Sequence, residues 1–295
     1  MRTYLDCIPC FLRQALEALR ENIADEDKIL SAIRKVLVYA SKFDMRKSPP
    51  EMGRLIHRIV REESGCCDPY AEIKKRSIAE SLKVIDKVRD TINSSDDPLK
   101  TAARFSIAGN ILDYAVVSMQ SEFRLFDSLQ KAVDKPLNDD IFESLRARLD
   151  KASSVLIIGD NAGETVFDRL LIEQICAPKI YYGVKGSPVI NDAVYSDALA
   201  SGLDEVSEII ENGSDAPGTI LRLCSAEFKK VFRKCGVVIA KGQANFETLN
   251  NAPREVFFLL QIKCPVIAGN YNYKVGDWVV TTAESGKRIQ KRRSK

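Results

Sequence analysis

Through the first half of the chain, apolar residues recur every three or four positions, the spacing of helices that bury one face. Pro9 suits the first turn of a helix that carries Phe11, Leu12, Ala15, Leu16 and Leu19. A second helix fits Asp27 to Phe43, with Ile29, Leu30, Ile33, Val36, Leu37 and Ala40 on one side. Ser48-Pro49-Pro50-Glu51 reads as a capping box with proline in the first turn, where the missing N–H does no harm. Asp68-Pro69 and Asp97-Pro98 repeat the acidic cap followed by proline, and predict helices over 70–92 and 99–117. Further helices are expected over 122–133 and 139–151, and no strand pattern interrupts them.

The pattern changes at Ser153. Val155-Leu156-Ile157-Ile158 is a short apolar run that stops at Gly159-Asp160-Asn161, and 162–175 returns to helical spacing. Ile180 to Val184 reads as a second strand, 188–199 as a helix, 206–210 as a third strand and Val237 to Ala240 as a fourth. Helix is expected over 244–263, a fifth strand over Pro265 to Ala268, and an edge strand over 275–281. Buried apolar strands alternating with helices predict parallel βαβ units. The fold class is therefore α/β: a three-layer α/β/α arrangement with a mainly parallel sheet, plus an all-helical N-terminal domain. The division falls near Ser94 to Asp97, giving a helical domain over 1–96 and an α/β/α domain over 97–295.

Composition narrows the function classes. Of the 295 residues, 45% are hydrophobic and 29% charged, the balance of a globular protein able to bury a core without disulfide staples. No apolar run approaches the roughly 20 residues of a membrane helix, and the N-terminus lacks a hydrophobic signal core, so the cytoplasm is expected and a membrane partner is not. The net charge of +3 is concentrated at the C-terminus, where 284–295 holds six Lys or Arg and one Glu. The tail 285–295 reads as a disordered, solvated end, and the absence of any nucleic-acid module argues against nucleic acid as a partner. Cys7 and Cys10 form a CxxC, half of a zinc site at most; a structural pair, a local disulfide and a redox pair stay open. The single histidine, His57, follows Leu55-Ile56 on an amphipathic helix and reads as structural.

Ligands of open parallel sheets bind beyond the carboxyl ends of the strands. Asp160, Asn161, Gly163 and Glu164 follow the first strand; Lys185, Gly186, Ser187, Asn191 and Asp192 follow the second; Lys241, Gly242, Gln243 and Asn245 follow the fourth. Singly, each group is an ordinary helix cap or loop, but no packing requirement brings all three to one rim. The oxygens of Asp160, Asn161 and Asp192 suit a hard divalent cation such as Mg²⁺ or Mn²⁺ with open positions. Lys185 and Lys241 could neutralise phosphate, while Gly163 and Gly242 would let backbone N–H groups approach an anion. Asn110 and Asp113 share a helix three positions apart.

These motifs carry a resemblance. Gly159-Asp160-Asn161-Ala162-Gly163-Glu164, Lys185-Gly186-Ser187-Pro188-Val189-Ile190-Asn191-Asp192-Ala193 and Lys241-Gly242-Gln243-Ala244-Asn245-Phe246-Glu247 are similar to those of the metal-dependent damage-control phosphatase family, long called domain of unknown function 89. Cys7-Ile8-Pro9-Cys10 resembles its archaeal and bacterial branch, and Ala108-Gly109-Asn110-Ile111-Leu112-Asp113 matches as well. Many relatives carry Arg where this chain has Lys185, a point charge in place of a two-pronged fork.

The resemblance implies hydrolysis of phosphate monoesters of small metabolites, such as sugar phosphates or damaged phospho-metabolites, with a divalent metal (Mn, Ni, Co or Mg) as cofactor. It implies Asp160, Asn161 and Asp192 as metal ligands; Asp160, Asp192 and Lys241 as catalytic; and Asn110, Gly163, Glu164, Lys185, Gly242 and Asn245 as binding phosphate or substrate. Water activated by the metal is the expected nucleophile, in preference to Asp160 itself. Two other functions compete: an S-adenosylmethionine-dependent carboxyl methyltransferase, proposed for a eukaryotic branch that resembles this family, and a non-catalytic sugar-phosphate or nucleotide-binding protein. A haloacid-dehalogenase mechanism is excluded, since it needs Asp-x-Asp after the first strand. Substrate, metal and oligomeric state, a homo-oligomer included, are left open.

Overall fold

The computed structural model describes residues 1–109 and 122–283. Asn110, Asp113, the end of the helix expected over 99–117 and the basic tail lie outside them. Helices α1 (Cys7–Asn22), α2 (Glu26–Ser41) and α3 (Pro49–Ser64) pack around Phe11, Ala15, Leu19, Ile29, Val36, Met52 and Ile56, a core of their own. α4 (Ala71–Asn93), α5 (Pro98–Ala108), α6 (Glu122–Val133) and α7 (Asp139–Leu149) complete the helical half. The proline signals are realised: Asp97 Oδ1 accepts the Lys100 N–H at 3.1 Å with Pro98 next to it, and Asp68 Oδ1 accepts the Tyr70 N–H at 3.1 Å. The capping box at Ser48 is not. Its side chain makes no cap bond: the Glu51 N–H donates to the Ser48 carbonyl at 3.0 Å, and the Glu51 carboxylate pairs with Arg222 across the molecule.

The second half builds one six-stranded sheet from β1 (Val155–Ile158), β2 (Ile180–Val184), β3 (Glu208–Glu211), β4 (Val237–Lys241), β5 (Phe257–Gln261) and β6 (Trp278–Thr282). The order is β3-β2-β1-β4-β5-β6, parallel throughout except for antiparallel β6. The fifth strand is thus Phe257–Gln261, inside the stretch expected to be helical, while Pro265–Tyr271 is a helix, α12, with Pro265 in its first turn. A continuous apolar run such as Val256 to Leu260 has no period to separate strand from buried helix. A proline lacking its N–H suits a first turn better than a parallel strand.

Helices α8 (Thr165–Ile172), α9 (Tyr195–Ala200), α10 (Ala226–Lys234) and α11 (Gln243–Leu249) cross between strands. Residues 188–194, expected to be helical, form the loop that leads into α9. Val155 and Ile157 face a core shared with α4, α5, α7 and α8, while Leu156 and Ile158 face a second core with α10, α11 and α12. This alternation along β1 makes three layers. Among the described residues no helix is long and apolar enough to cross a membrane. The chain turns outward in opposite directions from β1, toward β2 on one side and β4 on the other, which opens a crevice at their carboxyl ends.

Candidate metal and phosphate site

Backbone pairing brings the distant motifs together. Asn161 and Asp192 form an antiparallel bridge, in which the Ala162 N–H donates to Asn191 O at 2.8 Å and the Ala193 N–H to Asp160 O at 2.8 Å. Lys185 pairs with Val194, its N–H reaching Ala193 O at 2.9 Å. Asp192 therefore lies beside Asp160 and Asn161, not on the far edge of the sheet. The loop that delivers it is strained: Ile190 is a β-branched residue at φ 46°, a conformation worth about 1–3 kcal/mol that persists when surrounding contacts enforce it.

Asp160, Asn161 and Asp192 are all buried. Burial, and then Asp192, push the Asp160 carboxyl up to about 7. Burial also raises Asp192, against the opposing pull of Lys185, whose Nζ lies 3.2 Å from Asp192 Oδ2. That contact is an ion pair without hydrogen-bond alignment, so Asp192 Oδ2 is a buried oxygen with no directed donor. The second partner of Lys185 Nζ is Gly218 O. Asn161 Nδ2 donates to Glu164 Oε1 at 2.8 Å, which fixes which end of the amide is left as oxygen.

Behind this rim lies a fully buried polar cluster. Lys241 Nζ donates to Glu164 Oε2 at 3.0 Å, Asp168 Oδ1 at 2.8 Å and Ser106 O at 2.9 Å. Asp168 also accepts from Ser106 Oγ at 2.6 Å and from the Tyr182 hydroxyl at 2.7 Å. Burial pushes Glu164 up to about 7, even with Lys241 pulling the other way. Burial would pull Lys241 down, but Asp168 and Glu164 hold it above the ordinary lysine range. An ammonium has three donors, and Lys241 uses all three on the protein. Direct contact of Lys241 with phosphate, expected from the sequence, is not what this geometry offers; Lys241 instead orients Glu164, and Glu164 orients Asn161.

Other residues also differ from expectation. Asn245 is fully buried, donating to Gly159 O at 3.0 Å and Lys241 O at 2.7 Å and accepting from Thr219 Oγ1 at 2.8 Å, so it ties β1 to β4. The Gly242 N–H is spent on Leu259 O at 3.0 Å. Gly242 sits at φ 78°, and any β-carbon there would fall inside the Asp160 carboxylate, so glycine makes room for the Asp160 side chain. Gly163 lets the chain press on α4, where a β-carbon would lie 2.9 Å from Ser77 Cβ. Sequence reasoning passed over Asp168, Ser106 and Tyr182. The available signal was Asp168, four residues after Glu164 and hence on the same face of the chain as that carboxylate.

Cys7 is buried and Cys10 exposed, and both are free thiols. Among the described residues no group of three His, Cys, Asp or Glu side chains is arranged to hold a metal. The hard-oxygen set is two carboxylates and an amide. It fits a divalent cation on two grounds: the buried Asp192 Oδ2, which faces Lys185 at 3.2 Å without an aligned hydrogen bond, and the clearance that Gly242 leaves around Asp160.

The chain matches the model of the damage-control phosphatase ARMT1-like domain over residues 3–279. A damage-control phosphatase of Archaeoglobus fulgidus is 33% identical over 286 residues, spanning 94% of this chain and 98% of that protein. A damage-control phosphatase of Pyrococcus horikoshii is 31% identical over 277 residues, spanning 91% and 93%. The crystal structure of a DUF89 family protein from Pyrococcus horikoshii superposes with a TM-score of 0.88 at 30% identity, covering 95% of this chain and 99% of that one.

Proposed function

The chain belongs to the damage-control phosphatase ARMT1-like family, and from that premise we propose that it hydrolyses phosphate monoesters of small, damaged or phosphorylated metabolites with the help of a divalent cation. In this reading Asp160, Asn161 and Asp192 hold the cation, and residues 1–96 form a helical unit beside the phosphatase unit of 97–295, working in the cytoplasm. Mn²⁺, Ni²⁺, Co²⁺ and Mg²⁺ all suit such a set. When bound, the ion supplies Lewis-acid polarisation of a phosphoryl oxygen and lowers the pKa of water.

The observation that carries the reading is the pairing of Asn161 with Asp192, which sets two buried carboxylates, Asp160 and Asp192, side by side where a divalent cation would join Lys185 in offsetting their repulsion. Lys185, in an ion pair with Asp192, brings the positive charge that a phosphate dianion needs, and Gly218 O takes one of its three donors. Lys241, Glu164 and Asp168 hold the amide of Asn161 in one orientation from behind. In the overall reaction water adds to phosphorus, the P–O ester bond breaks, and the alcohol leaves with a proton.

A phosphate-release screen over a metabolite panel, run with each of the four metals and with chelator, tests the proposal. Release with at least one metal, lost with chelator and in Asp160→Ala and Asp192→Ala, is the expected result. Release that survives both substitutions, or none from any substrate, would refute it.

A further inference from the structure

We infer that Asp215 is a positioning residue for this hydrolysis: gripped by three arginines of α3, it anchors the loop 212–219, which in turn sets Lys185 and Asn245 at the rim. The inference rests on the reading of the rim as a phosphatase site.

Arg54, Arg58 and Arg61 stand four and three residues apart, on one face of α3. All three converge on a single carboxylate. Arg54 Nε pairs with Asp215 Oδ1, while Arg58 Nε lies 2.6 Å and an Arg61 terminal nitrogen 3.2 Å from Oδ2. The Asp215 side chain is only 12% exposed, so this is an embedded anchor, not a solvated surface pair. The other terminal nitrogen of Arg61 donates to Pro188 O at 2.7 Å, within the loop that leads to Asp192. One helix face therefore holds two rim loops.

The loop carrying Asp215 has little freedom of its own. The Asn212 N–H donates to Val184 O at 2.8 Å, at the end of β2, and Asn212 Oδ1 accepts the Gly186 N–H at 3.2 Å and the Ser214 N–H at 2.8 Å. Gly186 passes so close that a β-carbon on it would lie 2.5 Å from Gly213 Cα. On the far side of Asp215, Gly218 O accepts from Lys185 Nζ and Thr219 Oγ1 donates to Asn245 Oδ1 at 2.8 Å. Gly218 sits at φ 65°, where a β-carbon would collide with Ala244 O. Asp215 thus lies between the segment that pairs with the Lys185 strand end and the two residues that hold Lys185 Nζ and Asn245. Moving it moves the acceptor that aims the lysine. No other carboxylate in the loop can replace it.

The test compares wild type with Asp215→Asn, Asp215→Glu, Arg61→Gln and the control Glu51→Gln, which breaks the neighbouring α3 pair to Arg222 without touching the loop. The readouts are KM for p-nitrophenyl phosphate, the inhibition constant of inorganic phosphate, Tm, and amide exchange at Gly186 and Thr219. Asp215→Asn should raise KM and the phosphate inhibition constant about tenfold or more, since a displacement of about 1 Å in a positioning group can cost ~100-fold. Asp215→Glu should recover part of this, Arg61→Gln should show a smaller rise, and Glu51→Gln should match wild type. A lowered Tm with unchanged inhibition by phosphate would overturn the inference, as would wild-type constants in Asp215→Asn. If Asp215→Asn fails to fold, Arg61→Gln decides: wild-type constants there overturn it. If none of the four metals supports turnover by the wild type, the phosphatase reading fails, and exchange decides the anchor by itself. Faster exchange at Gly186 and Thr219 in Asp215→Asn sustains it, and unchanged exchange overturns it.

Discussion

Lys241→Met removes the one cation at the centre of the buried cluster while keeping its length and nearly its volume. Nζ has three partners, Glu164 at 3.0 Å, Asp168 at 2.8 Å and Ser106 O at 2.9 Å, and none of the three side chains is more than 1% exposed. No solvent can reach the carboxylates left behind. Breaking a buried pair from one side typically costs about 3–5 kcal/mol, because the remaining charge stays uncompensated. Against a typical total of roughly 5–15 kcal/mol, the variant should still fold, with a large share of its stability gone. Removing the second charge should return part of the loss. In Lys241→Met/Asp168→Asn the amide oxygen still accepts from one of the Ser106 and Tyr182 hydroxyls while its NH2 group faces the oxygen of the other, so the pair should couple favourably by about 1–3 kcal/mol. Urea unfolding followed by the fluorescence of Trp278, the single tryptophan, buried in β6, reads both numbers. A loss below about 1 kcal/mol for the single variant, or strict additivity in the double, would refute the idea that Lys241 is an internal strut.

His57 gives a pH-dependent expectation. Burial, and then Arg61, lower its pKa to about 3, and neither ring nitrogen has a partner, so the folded state keeps it neutral while the unfolded imidazole gains a proton below about 6.5. Stability should therefore fall as pH drops through this window, by about 2 kcal/mol at pH 5, and His57→Phe should lose that portion of the slope in urea titrations at pH 7.5 and 5; equal slopes would count against it. Gly242→Ala must take both a positive φ and a collision with Asp160, so about 1–3 kcal/mol of stability should go along with most of the turnover. Full activity in that variant would mean that Asp160 has room the structure does not give it.

Much of this architecture was readable from the residues. The strand ends after Ile158 and Val184 were legible, and that of β4 to within one residue at Ala240, because a parallel strand buried on both faces is a short apolar run that stops where polar residues begin. The meeting of Asp192 with Asp160 followed from placing their strands side by side. The strand Phe257–Gln261 was not legible, because the apolar run Val256 to Leu260 carries no period, and Pro265-Val266-Ile267-Ala268 has the apolar character of a short strand although Pro265 opens a helix. Roles within the site were harder still. Lys241 and Asn245 stand in motifs that suggest substrate contact, but how a side chain spends its donors depends on residues far away, on Ser106 in α5 and Thr219 in the loop after β3. Asp215 gave no signal at all, since its partners lie more than 150 residues earlier in the chain.

The central claim is that Asp160, Asn161 and Asp192 grip one cation. A titration with Mn²⁺ followed by electron paramagnetic resonance tests it without any assumption about substrate. The account predicts a single tight ion per chain, with affinity falling at least tenfold in Asp160→Ala and in Asp192→Ala while circular dichroism stays unchanged. Undiminished binding in both variants, or no bound Mn²⁺ in the wild-type protein, would contradict it.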